Sequence, residues 1–122
     1  MKAIHFFLIV AALGAGCTEE REPVACAAYA AAGLGVSVTR ADTGQPLCDA
    51  SVTASEGAYS EKLTEVACTY TGAYERPGSY VIRATRPGFA PAELGPVRVA
   101  MDGGECPHVV QAKLTLPLEP ER

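Results

Sequence analysis

From Gly33 onward the chain alternates apolar and polar residues with a period of two. In "GLGVSVTR", Leu34, Val36 and Val38 fall on one side, Ser37 and Thr39 on the other. "ASVTA" repeats the pattern, with Ala50, Val52 and Ala54 inward and Ser51 and Thr53 outward. After Pro107 it returns, setting Val110, Ala112, Leu114, Leu116 and Leu118 against Gln111, Lys113 and Thr115. Successive side chains of a strand project to opposite faces, so these runs predict strands with one face in a core and the other in water. "EKLTEVACTYTGAY" (61–74) is less regular and predicts two short strands or one bulged strand. Turn residues separate the runs, in "ADTGQP" (41–46) and "SEGAYS" (55–60). No window after Ala32 carries a sustained helical stripe. Short alternating runs punctuated by Gly and Pro predict an all-β, antiparallel β-sandwich.

The stretch "RPGSYVIRATRPGF" (76–89) fits this scheme as one core strand between two proline-glycine pairs. Tyr80, Ile82 and Ala84 take one face, Val81, Arg83 and Thr85 the other. Proline fixes φ at one corner of a turn and glycine accepts positive φ at the next, so Pro77-Gly78 and Pro87-Gly88 are both expected as type II turns. Arg76 and Arg86 could form a functional pair. An eight-residue strand spans about 26 Å, which separates them too far for one anion site.

The N-terminus reads differently. "MKAIHFFLIVAALGAGC" has one cation at Lys2, an apolar run from Ala3 to Leu13, and small residues leading to Cys17. That is the layout of an export signal, and the apolar run is short of the roughly 20 residues of a membrane span. Leu13-Gly14-Ala15-Gly16-Cys17 resembles the lipobox of bacterial lipoproteins, although leucine sits one place further from the cysteine than is usual. The resemblance implies cleavage before Cys17 and a lipid on its thiol; a conventional secretory signal is the alternative. In such lipoproteins an Asp after the cysteine retains the chain at the inner membrane, and Thr18 here points to the outer membrane. Residues 1–16 are then signal, 17–32 a tether, 33–118 the domain and 119–122 a tail. A short helical turn is expected over "ACAAYAAA" within the tether, since alanine favours helix.

An exported chain meets oxidising conditions. Cys26, Cys48, Cys68 and Cys106 are an even set in a short domain, which predicts two disulfides. Three pairings are open. Cys48–Cys68 with Cys26–Cys106 is the favoured one, because each bond then joins the start of one strand to that of a neighbour. Zinc fits poorly: no two of these cysteines are closer than twenty residues, and His108 lies only two positions after Cys106.

The order of motifs resembles the carboxypeptidase regulatory-like (transthyretin-like) domain. A first strand ends at Asp42, Gly44 and Pro46. Ala50 and Val52 follow, then Pro77, Gly78 and Tyr80, then Gly88, Phe89 and Pro91. The resemblance covers about Leu34 to Leu118 and implies a seven-stranded Greek-key β-sandwich, in a family that is mostly non-catalytic. Its hydroxyisourate-hydrolysing relatives need several histidines and a terminal Y-R-G-S, and ring-cleaving dioxygenases of related fold need two histidines and two tyrosines. This chain has His108 as its one histidine beyond the signal and ends "LPLEPER".

Composition narrows the remaining chemistry. The 122-residue chain has a formal charge of −4, and the body beyond Cys17 is more acidic still, because the signal contains Lys2 and no carboxylate. That argues against nucleic acid and against electrostatic adhesion to anionic lipid. His108 is the one candidate general base; the simpler expectation is a histidine at a strand edge beside Cys106. Asp102 and Glu105 supply too few oxygens for calcium, which takes 6–8. Tyr59, Tyr70 and Tyr74 could form a stacking platform for sugar, against which stands ordinary core packing. No catalytic residue, metal or cofactor is expected. The expected function is a lipid-anchored envelope module with a protein partner, and the alternative is a binder of carbohydrate or peptidoglycan.

Overall fold

The computed structural model describes residues 25–122, so the signal and Cys17 lie outside the described residues. The described residues contain no helix and nine strands: β1 (Leu34–Arg40), β2 (Ser51–Glu56), β3 (Tyr59–Lys62), β4 (Thr64–Val66), β5 (Thr69–Gly72), β6 (Gly78–Thr85), β7 (Ala92–Met101), β8 (Val109–Val110) and β9 (Ala112–Leu118). They form two sheets, ordered β4-β5-β1-β9 and β3-β2-β6-β7-β8. The inward residues of both meet in one apolar cluster. Leu34, Val36, Val38, Tyr70, Leu116 and Leu118 come from the first sheet, and Val52, Ala54, Tyr80, Ile82, Ala84 and Val99 from the second. The body is therefore all-β and sandwich-like, with the period-two faces of β1, β2 and β6 as the alternation predicts.

Nine strands replace the seven implied by the family resemblance, because the chain changes sheet inside two of the apolar runs. Leu63, buried at 3 % exposure, separates β3 in one sheet from β4 in the other. Its N–H donates to the Val52 carbonyl (2.8 Å), so the corner stays tied to β2. Gln111 separates β8 from β9 in the same way. The inward direction shifts at that crossing: Val109 is buried, and Val110, expected inward, is 55 % exposed. The pairings are not all antiparallel either. β9 runs parallel to β1 from Leu34↔Ala112 to Arg40↔Leu118. It reaches β1 by a crossover from the other sheet, and no tight hairpin fixes the opposite direction.

Turns are tighter than the sequence suggests. "SEGAYS" contracts to the two-residue loop Gly57-Ala58 between Glu56 and Tyr59, with Gly57 at φ +54°. β4 and β5 join through Ala67 and Cys68, both at positive φ. Pro87-Gly88 makes the expected turn: the Phe89 N–H donates to the Arg86 carbonyl (3.1 Å) and Gly88 has φ +85°. Pro77-Gly78 does not. The turn before β6 is Ala73–Arg76, closed by the Arg76 N–H on the Ala73 carbonyl (3.2 Å), and Glu75 there has φ +50°. Gly78 already lies in β6, where a Cβ would fall 2.5 Å from a Glu56 carboxylate oxygen. Glycine there lets the Glu56 carboxylate lie directly against the start of β6.

Candidate functional site

The sequence leads to the expectation of a tether over residues 17–32, and the described part of that segment is fixed to the domain. No helix forms over 25–32. The reason lies in its partners. Cys26 is bonded to Cys106, with Cα atoms 5.4 Å apart. The Ala31 N–H donates to a Glu75 carboxylate oxygen (2.8 Å), and the Glu75 N–H donates to the Ala31 carbonyl (3.0 Å). Tyr29 stacks on His108, ring centroids 4.2 Å apart and 19° from coplanar. Backbone groups that a helix would pair internally are thus met by the domain.

Glu75 organises this clamp. One carboxylate oxygen accepts from Ala31 and from His108 Nδ1 (2.5 Å), and the other from the Val109 N–H (3.2 Å). A carboxylate only accepts, so Nδ1 of His108 carries the proton. The bond from His108, then that from Ala31, holds Glu75 below the usual carboxylate range. These bonds offset the cost of positive φ at a residue with a side chain. His108 is accordingly a clamp residue at the start of β8, half-buried beside Cys106. No described hydroxyl is hydrogen-bonded to it.

Arg76 lies in a second cluster. Its guanidinium sits 3.6 Å from the Tyr59 ring centroid and donates to Tyr80 Oη (2.8 Å) and Glu56 (3.1 Å). Tyr80 Oη in turn donates to the Arg76 carbonyl (2.6 Å). Glu56 also accepts from the Ser79 N–H, which chiefly lowers its pKa. Arg86 instead stacks over Phe89 at the far end of β6, 5.4 Å from the ring centroid. The two arginines therefore do not form a pair.

The three tyrosines do not form a platform. Tyr70 is core, 1 % exposed, and its hydroxyl accepts from the Ala50 N–H (2.9 Å) and donates to the Leu47 carbonyl (3.0 Å). Burial pushes that phenol up. Tyr59 lies under Arg76, and only Tyr74 is exposed, at 50 %. Asp102 closes its own loop, accepting from the Gly104 and His108 N–H groups (3.4 and 3.3 Å). The described group that brings together the most metal-type donors is Cys48, Glu65 and Cys68, and the Cys48–Cys68 disulfide consumes two of the three.

Four glutamates went unnoticed in the sequence. Glu56, Glu61, Glu65 and Glu75 each accept from a backbone N–H of another segment: Ser79, Ala73, Asp49, and Ala31 with Val109. No local motif marks them, because every partner lies at least twelve residues away. Grooves open on the surface of the described residues. One of about 490 Å³ is lined by Glu56, Gly78, Ser79, Arg98 and Met101. Another, of about 410 Å³, lies on the outer face of the first sheet among Ser37, Thr69, Gln111 and Lys113.

Fold and clamp together define a two-sheet, all-β domain closed by two disulfides, with residues 26–31 bound to its surface. Comparison with known proteins finds no matching family model and no matching curated sequence.

Proposed function

We propose that this protein is a non-catalytic module of a bacterial cell envelope, anchored through a lipid on Cys17. Its body is read as a transthyretin-like, carboxypeptidase regulatory-like Greek-key sandwich that serves as a structural or protein-interaction surface at the outer membrane. The observation that carries the reading is the pair of closed disulfides, the chemistry of an exported domain. The clamp adds to it. Cys26 follows the proposed lipid site by nine residues, and its bond to Cys106 ties the route to the membrane directly to the rigid body. His108 and Arg76, the side chains best suited to chemistry, are both committed to holding segments together.

The test is fractionation of cells expressing the chain and its Cys17→Ala variant, with mass spectrometry of the mature N-terminus. The parent is expected in the membrane fraction with a lipid mass on Cys17, and the variant in the soluble fraction. A soluble parent with an unmodified N-terminus would overturn the anchor. Crosslinking in intact cells is expected to capture envelope proteins on the domain.

A further inference from the structure

The outer face of the β3-β2-β6-β7-β8 sheet gathers cations on a chain whose formal charge is −4. Register places Lys62, Thr53, Arg83 and Glu93 in one row across β3, β2, β6 and β7. Arg98 stands opposite Ser79 in a second row. Inward neighbours Val52, Ala54, Ile82, Ala84 and Val99 are buried, so these side chains face water, and all three cations are exposed. Arg83 meets Glu93 at 3.3 Å, but both side chains are more than half exposed (51 % and 58 %). Such a pair contributes little in water and exchanges readily. Lys62 and Arg98 form no ion pair with a described residue.

Strand spacing sets the distances. Lys62 and Arg83 are two strands apart, about 10 Å, and Arg98 is one strand over from Arg83 and four residues along, about 14 Å. One phosphate or carboxylate cannot bridge them, so a fitting ligand carries its charges spread along a chain. Between the cations are hydroxyls, those of Thr53, Ser55 and Ser79, with the Ser55 and Ser60 hydroxyls 3.4 Å apart on the same surface. The 490 Å³ groove begins at Ser79 and Arg98, and its one carboxylate, Glu56, is engaged by Arg76 and the Ser79 N–H. Tyr59 and Tyr80 turn inward, which leaves no ring here on which a nucleic-acid base could stack.

We propose that this face binds an acidic polysaccharide, its carboxylates meeting Lys62, Arg83 and Arg98 and its hydroxyls meeting Thr53, Ser55 and Ser79. The proposal rests on the non-catalytic module reading above and names a ligand class for it. The probe is sodium hyaluronate, which carries one carboxylate per disaccharide, presented to the full chain in detergent micelles. Neutral dextran and phosphatidylglycerol vesicles serve as comparisons. Hyaluronate is expected to bind and dextran not to, with binding weakened by added salt. The triple variant Lys62→Gln, Arg83→Gln, Arg98→Gln is expected to lose about tenfold or more in affinity with its melting temperature unchanged, because all three side chains are exposed. Glu93→Gln is expected to tighten binding, since it removes the carboxylate that competes for Arg83. Equal binding of dextran, an unaltered triple variant, or binding to the vesicles alone would overturn the assignment. If hyaluronate fails while Cys17 is lipidated and envelope proteins still crosslink, only the ligand class falls.

Discussion

At Tyr70 a single hydroxyl holds both ends of the loop that leads into β2, accepting from Ala50 and donating to Leu47 inside the core. Tyr70→Phe keeps the ring and leaves two buried backbone groups unmet. The expected loss is about 2 kcal/mol, read as a lower urea midpoint with an unchanged slope. Glu75 works by charge. Its folded-state pKa lies below the ordinary glutamate value, so its stabilisation is present above about pH 4.3 and is lost as pH falls through the lower folded value. Glu75→Gln is expected to lower the melting temperature at pH 7 and to flatten its acid dependence below about pH 4.3. Glu93→Gln, which removes only an exposed pair, should do neither. Of these residues, Tyr70 stood out in the sequence as a member of a candidate sugar-stacking platform, a different role from the one it has, and Glu75 did not stand out. Hydrogen bonds to Ala31 and Val109 span more than thirty residues, and no local pattern encodes them.

Among the elements, β1, β2 and β6 were legible because each keeps a single inward face along its length. β4, β5 and β8 were harder. They are two to four residues long, and their boundaries fall where the chain crosses between sheets. The β4–β5 turn shows why local chemistry misled. Ala67 and Cys68 occupy positive φ, which short hairpins usually give to Asn and Gly. The Cys48–Cys68 bond holds that turn against the loop before β2. Replacing both cysteines with serine is expected to cost about 3 kcal/mol by loop entropy, measured by denaturant unfolding. A midpoint equal to the parent's would show that the turn holds its conformation unaided.

For the whole molecule, the sequence determined that the described residues are all-β, which faces of β1, β2, β6 and β9 are buried, and that four cysteines form two bonds; β7, the longest strand, carries no alternation to read. Those properties follow from period-two alternation and from cysteine number, both of which can be read along a line. Tertiary structure decided the rest. It set the switches of sheet at Leu63 and Gln111, the parallel pairing of β9 with β1, and the binding of residues 26–31 to Glu75 and His108. It also brought Lys62, Arg83 and Arg98 onto one face from strands that are far apart in sequence. A parallel neighbour, a clamp and a charged face are relations between distant segments. Their free energy comes from packing that exists only once both sheets have closed on the same core.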